Sequence, residues 1–451
     1  MEPRDDLPRI AHASLASVDP QTIVARSMRI SAGILHAGTG DAAGDFDLSR
    51  FQRVLVLGFG KAAGPMARAV EQVLGPRIDE GLIVVKRGHE VPLEMIRTIP
   101  GGHPVPNEDS VRAAGTIAAL ADEADARTLV ITLISGGGSA LLAAPLFDER
   151  PRVTLDDIRE TTRQLLACGA PIAELNCVRK HLLMLAGGRL ARRISPATSV
   201  NLVLSDVVGD DLQTIASGPT CPDTTTYGEA LSFLEYRGIA ATLPVAVMDF
   251  LRAGAAGKVP ETPKPGAPEF FSCSNILAGT NLLALRSASS EARRLGYNPI
   301  ILTSHLAGEA REAAVVLAAV AKDVAASDLP CRRPACILSG GETTVTLRGK
   351  GSGGRNQEMA AAFLREMENE PALLAGTHFL SFSTDGEDGP TDAAGGYALP
   401  SMARAAHAEG MRIPEALQEN DSYTLLAKLG GLFRTGPTGT NVCDIQIILV
   451  V

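Results

Sequence analysis

From about residue 54 onward, short runs of β-branched and aliphatic residues alternate with longer stretches of helical periodicity. Residues 54–57, 82–85, 129–134 and 200–204 have strand length and little polar interruption. Residues 61–74, 107–123, 154–167 and 171–185 space their apolar side chains as amphipathic helices do. The strand runs are bounded by glycine and followed by helical patterns, which reads as βαβ units and a parallel sheet covered on both faces. A second series follows, with strands expected at 270–272, 299–303, 335–338 and 379–382 and helices at 281–294, 307–326 and 355–368. A nearly all-aliphatic strand at 444–451 closes it, and the pattern does not say which sheet that strand joins. Residues 253–267, rich in Gly, Pro and charge, are the best linker. Two α/β domains with a boundary near 255–265 are expected.

Composition narrows the class. The 451 residues are 45% hydrophobic and 21% charged, with no Trp, 5 Tyr and 12 Phe, so the core is aliphatic. A net charge of −9 argues against nucleic acid, whose backbone attracts basic surfaces. It leaves room for a local basic pocket and a small anion. The seven cysteines are odd in number and include no CxxC pair, which fits reduced thiols in the cytoplasm better than a disulfide framework or a zinc site. The first residues carry acids and no apolar h-region, and no run of 18 apolar residues occurs. A cytoplasmic protein without a membrane partner is expected.

The chemistry concentrates in glycine-rich loops that follow strands. In VLVLGFGKAAGPM, Gly58 and Gly60 allow close backbone approach and Lys61 stands at the head of an expected helix, a place that suits an anion. The plainer reading is a tight turn with an exposed Lys. A dinucleotide fingerprint competes, but its third glycine is one place late and the next strand ends in Lys86 and Arg87, not an acid for a ribose hydroxyl. In LISGGGSALL, Ser135, Gly136, Gly137, Gly138 and Ser139 can turn successive N–H groups to one point and make an anion nest. Neither loop is a P-loop.

Later loops add carboxylates and a cation. Asp206 ends a strand and is followed by Asp210 and Asp211, which are candidates for Mg²⁺ or for helix capping. In LRGKGSGGRNQEM, the segment 349–354 is too glycine-rich to be rigid alone and delivers Arg355 to the first turn of a helix. The dipole disfavours a cation there, so an anionic ligand gripped by its fork explains it better. STDGEDGPTDAAGG holds Asp385 and Asp388, either metal ligands or turn residues. His103 and His181 near polar loops read first as structural.

In order along the chain, GFGKAAGPMA, SGGGSALL, LNCVRKHLLMLAGGRLA, SDVVGDDLQTIASGPT, SGGETTVTL, GSGGRNQEMA, STDGEDGPTDAAGG and TGPTGTNVCD resemble the class II glycerate 2-kinases, whose C-terminal half is the MOFRL domain. The resemblance implies a Rossmann-like N-terminal domain over residues 1–258, with a parallel sheet flanked by helices. It also implies a smaller MOFRL-type α/β domain over 259–451 and an active site in the cleft between them. It makes Lys61 and Arg355 the expected functional pair. Where that family shows Ser and then Lys, this chain has Leu183 and Ala186.

The implied reaction is ATP-dependent phosphorylation of D-glycerate with Mg²⁺. Phosphoryl transfer asks mainly for positioning and charge neutralisation. The nest 135–139, with Gly58 and Gly60, would hold ATP phosphates, and Lys61 would neutralise the moving group. Arg355 would bind carboxylate or phosphate. Asp206, with Asp385 or Asp388, would hold Mg²⁺ or accept the hydroxyl proton. A homodimer is left open. The alternatives are an NAD(P)H-dependent hydroxypyruvate reductase, since family members carry that name, and a non-catalytic sugar-acid-binding protein.

Overall fold

The computed structural model describes residues 3–38, 43–146 and 152–451, and the chain divides into two compact units. One comprises Ile23–Ser205 and Asp210–Ala278. It begins with a small antiparallel sheet of β1 (Met28–Ser31), β2 (Ile34–Ala37) and β3 (Gly44–Asp47). Its main sheet contains β4 (Arg53–Phe59), β5 (Glu80–Lys86), β6 (Arg97–Gly101), β7 (Thr128–Ile134), β8 (Thr198–Leu204) and β9 (Cys273–Gly279), in the order β6-β5-β4-β7-β8-β9. The strands from β6 to β8 are parallel. β7 is buried at every position, which is why it reads as an unbroken apolar run with no alternation.

Helices Ala63–Leu74 and Glu108–Asp122 belong to this unit. The second opens on a capping box of Asn107 and Ser110. Helices Leu155–Ala167, Ile172–Leu182, Tyr227–Tyr236 and Val245–Ala255 share a core built around Leu165, Val178, Leu234 and Phe250. Leu183 and Ala186 are both buried in that same core.

The expected linker is not a boundary. Val259 is buried in the helical core, and Thr262 Oγ1 donates to Asp223 Oδ2 at 3.0 Å. The chain then runs into β9 at the edge of the first sheet, where Ser199 N–H meets the Ser272 carbonyl at 2.8 Å. Its Pro and Gly suit an extended segment laid along a surface, so the first unit runs on to Ala278 and not to 258.

The other unit comprises Gly279–Val451, the segment ending at Thr22, and Asp206–Gly209. Helix Pro3–Ser17 is tied to it: Tyr297 Oη donates to Asp6 Oδ2 at 3.0 Å, and Ser287 Oγ to the Ala13 carbonyl at 2.9 Å. Its sheet contains β10 (Asn298–Leu306), β11 (Ala335–Gly341), β12 (Thr377–Ser383), β13 (Gly395–Ala398), β14 (Leu432–Phe433) and β15 (Asp444–Val450). The order is β10-β11-β15-β12-β13-β14, with β10 and β11 parallel and the other pairs antiparallel. The open question about the aliphatic strand is thereby answered. β15 lies between β11 and β12, and the burial of all its side chains explains its composition.

Among the described residues no helix is long and apolar enough to cross a membrane. All seven cysteines are free.

Candidate active site

In the first unit the chain runs from β4 outward through β5 and β6, then crosses to β7 and β8 on the other side. The carboxyl ends of β4 and β7 therefore flank a topological switch point, where open α/β sheets bind ligands. The loops after these strands are stitched together there. Ser135 N–H donates to the Phe59 carbonyl at 3.1 Å, and Lys61 N–H to the Gly136 carbonyl at 2.8 Å. Gly60 has φ +123°, and a Cβ on it would lie 2.2 Å from Ser135 Oγ and 2.5 Å from the Ser135 carbonyl oxygen. Only glycine fits.

The stitching redistributes the expected roles. Ser135 is buried and its Oγ accepts from Ala62 N–H at 3.0 Å, so it helps to hold the turn. Gly58 lies inside β4, where a Cβ would meet Ile83 Cγ2 at 2.8 Å; its bareness serves strand packing and not phosphate approach. Lys61 precedes the helix, which begins at Ala63, and its backbone belongs to the turn. Gly137, with φ +84°, starts the short turn Gly138–Leu141. Among the described residues, the N–H groups of Gly136, Gly137, Gly138 and Ser139 have no acceptor in the chain. This run of unused donors falls in the loop that the sequence singles out as a nest.

A lysine and a histidine stand beside it. A Cβ on Gly137 would lie 2.9 Å from His103 Nε2 and 3.5 Å from Lys61 Cγ, so His103 and Lys61 both border the nest. Burial first, then Lys61, Lys86 and His89, push the His103 imidazole down to about 4. Its folded value lies below its ordinary value of about 6.5, so unfolding takes up a proton between those two pH values. Stability present above about pH 6.5 is therefore lost as pH falls to about 4. Denaturant titrations of the wild type and His103→Asn across that window should diverge, with the wild type losing more stability as the solution is acidified.

The sequence gives little sign of the next partners. Ser139 Oγ lies 2.8 Å from Ser217 Oγ, and Ser217 Oγ donates to Asn176 Oδ1 at 3.1 Å. Asn176 Nδ2 in turn donates to the Thr214 carbonyl at 3.3 Å. Ala216, Ser217 and Gly218 are all left-handed, with φ of 50°, 61° and 60°. Two adjacent non-glycine residues in that region mark backbone strain of the kind that collects at functional sites. The only signal in the sequence is the SG pair ending TIASG.

The second unit holds a separate cluster. The β-sheet register sets Gly341 and Ser383 opposite Asp444 on its two sides, so Glu342 and Asp385 follow strands that end level with Asp444. Arg355, at the start of helix Arg355–Asn369, closes a fork on Asp444: Nε to Oδ2 at 2.6 Å and Nη2 to Oδ1 at 2.9 Å. Nη1 meets Glu342 Oε1 at 2.7 Å. The anion that explains a cation at this helix start is therefore the protein's own buried carboxylate. Burial pushes Asp444 up to about 7 in spite of Arg355, which pulls it down. Burial also works against the guanidinium, but Asp444 and Glu342 outweigh it and hold Arg355 protonated.

Asp206 lies just past β8 and groups with this unit; its carbonyl accepts from Cys443 Sγ at 3.1 Å. Asp388, expected as a metal ligand, is instead the buried cap of helix Arg355–Asn369. Its Oδ1 accepts from Asn356 N–H at 3.1 Å, and its Oδ2 from Gln357 N–H at 2.8 Å. Asp385 Oδ1 accepts from Ser383 Oγ at 2.8 Å and Glu387 N–H at 3.0 Å. Among the described residues no three His, Cys, Asp or Glu converge as a metal centre.

The glycine-rich segment before Arg355 is not loose. Gly351 N–H donates to the Glu419 carbonyl at 2.8 Å, and a Cβ on Gly349 would lie 2.3 Å from Glu419 Cα. Its glycines permit backbone to lie on backbone. A cavity of 610 Å³, lined by Met367, Glu368, Leu374, Ala403 and His407, contains none of the residues above.

Comparison with known proteins bears on this arrangement. Residues 6–252 match the family model described as a domain of unknown function, DUF4147, and residues 335–444 match the MOFRL family. The chain is 40% identical to the D-glycerate 2-kinase of Thermotoga maritima, over 96% of this chain and 100% of that protein. It is 38% identical to a putative hydroxypyruvate reductase of Agrobacterium vitis, over 99% of this chain and 94% of that one. The crystal structure of the glycerate kinase from Thermotoga maritima superposes with a TM-score of 0.85 at 38% identity, covering 99% of each chain.

Proposed function

As the chain belongs to the glycerate kinase family that joins a DUF4147 region to a MOFRL domain, we propose that it moves the terminal phosphoryl group of ATP to the 2-hydroxyl of D-glycerate. The observation that carries this reading is the run of free N–H donors at Gly136–Ser139 beside Lys61. Such a nest binds an anion through backbone dipoles, and an unpaired cation next to it matches the charge that moves during transfer.

Each group then has a role that follows from its place. The nest orients phosphate oxygens. Lys61 neutralises the phosphoryl group as it leaves ADP. His103, neutral near pH 7, adds a hydrogen-bonding ring without adding a fixed charge. Asp206, just past β8, supplies a carboxylate that groups with the second unit. Arg355, held by Asp444, acts as a fixed cation of the second unit. The pair Asp385 and Asp388 does not fit a metal centre, because Asp388 is spent on a helix cap; Mg²⁺ is read as part of the nucleotide substrate, with phosphate oxygens as ligands.

The reductase name carried by relatives finds less support in the site. β5 ends in Lys86, where a dinucleotide fold places an acid for the ribose. The pure protein should form ADP from D-glycerate and MgATP, with a product whose phosphorus signal couples to the C2 proton. Oxidation of NADH with hydroxypyruvate at a comparable rate, and no ADP, would overturn the reading.

A further inference from the structure

Helix Ile172–Leu182 ends in three consecutive basic residues, Arg179, Lys180 and His181. Two of them are matched to carboxylates. Lys180 Nζ lies 3.2 Å from Asp223 Oδ1, and His181 Nε2 lies 2.9 Å from Glu261 Oε1. Arg179 is different. It is half-buried, and among the described residues its guanidinium has no hydrogen-bond or ion-pair partner. Burial alone pulls it down to about 10. A cation in the last turn of a helix gains from the dipole, but that gain does not require withdrawing its head from water.

Its position is fixed by contacts on either side. Asn176 stands one turn earlier on the same face and bonds Ser217. Just after the helix, Met184 N–H donates to the Ala144 carbonyl at 2.9 Å, and Gly187 N–H to the Ser217 carbonyl at 2.9 Å. The helix end therefore lies alongside the nest loop and the strained 216–218 turn.

The hydrogen-bond chain there has a direction. Asn176 uses its amide N–H on Thr214, so its oxygen takes the Ser217 proton. Each hydroxyl has a single proton, so Ser139 must give its own to Ser217. Ser139 Oγ is left as an acceptor. It can receive a ligand hydroxyl, but it has nothing to offer a phosphate oxygen. An acceptor for a hydroxyl on this loop, and one unpaired fork in the last turn of the helix that borders it, match a molecule with one carboxylate and a neighbouring hydroxyl. Lys61 and the nest supply the denser positive field that suits a phosphate chain.

We infer that Arg179 and Ser139 form the recognition site for a small 2-hydroxy carboxylate, Arg179 gripping the carboxylate and Ser139 Oγ accepting the hydroxyl. This rests on the kinase reading and assigns its acceptor substrate a place. The test titrates D-glycerate, and separately ADP, into the wild type, Arg179→Lys and Arg179→Met, and measures steady-state constants for each. Arg179→Met should weaken D-glycerate binding and raise its KM about 10²-fold, with ADP binding unchanged. Arg179→Lys, which keeps charge without the fork, should fall between. Because no partner is orphaned, Arg179→Met should melt at or above the wild type, which separates loss of binding from misfolding. If ADP affinity falls and D-glycerate affinity holds, Arg179 serves the phosphate chain and the inference is wrong. Wild-type D-glycerate affinity in Arg179→Met also overturns it. A wild type that binds D-glycerate through Arg179 yet makes no ADP would sink the kinase reading and leave this site standing. A wild type that binds no D-glycerate sinks both.

Discussion

Lys61→Met should lose roughly 10²–10³ in kcat, the usual effect of removing one preorganised electrostatic stabiliser. Lys61 is half-buried, and among the described residues its ammonium has no partner. Its backbone N–H is already spent on Gly136, so the turn keeps its shape when the side chain becomes neutral. An unpaired Lys contributes little to stability, so the melting curve should barely move. The measurement is kcat at saturating MgATP and D-glycerate. A second readout comes from His103, which Lys61 helps to hold down. In the variant its imidazole should titrate at a higher pH by NMR. A folded Lys61→Met enzyme within about threefold of wild-type kcat would reduce the loop to a turn.

Arg355→Met should be the most destabilising of the substitutions considered, by about 3–5 kcal/mol, because it strands a buried carboxylate. Asp444 is 1% exposed and both of its oxygens are held by Arg355. The pH dependence has a definite sign. Burial already raises Asp444 to about 7 with Arg355 present, and removing the guanidinium raises it further. A carboxyl raised in the folded state binds more protons there than when unfolded, so the variant loses stability as pH rises from about 4 through neutrality. Arg355→Met/Asp444→Asn removes the stranded charge and should recover most of the loss. Chemical denaturation at pH 5.5 and 8 checks both points. A single variant as stable as the wild type at pH 8 would mean that the pair carries no weight.

The βαβ alternation of the first unit was legible because parallel strands buried on both faces leave unbroken apolar runs, as at 129–134. The glycine loops were legible for a related reason: a Cβ on Gly60 or Gly137 would run into Ser135 or His103. What stayed hidden depends on who meets whom in space. Asp388 looks the same in sequence whether it binds a metal or caps a helix, and only its bonds to Asn356 and Gln357 decide. Arg355 signals an anion correctly, but Asp444 lies 89 positions away. Ser217 and Asn176 carry no motif of their own. The Pro- and Gly-rich stretch before β9 misleads because an extended strap and a linker have the same composition.

The central place of β15 has a consequence for biosynthesis. On the ribosome this strand emerges after all the others of its sheet, yet it fills the gap between β11 and β12. Until it arrives, both neighbours present open backbone edges and apolar faces, the condition in which nascent chains aggregate. Helix Pro3–Ser17, made before the rest of its unit, must wait for strands that come much later in the chain. The first unit can complete its sheet once β9 has emerged, so translation hands a chaperone a finished half joined to one that stays open until β15 has been made.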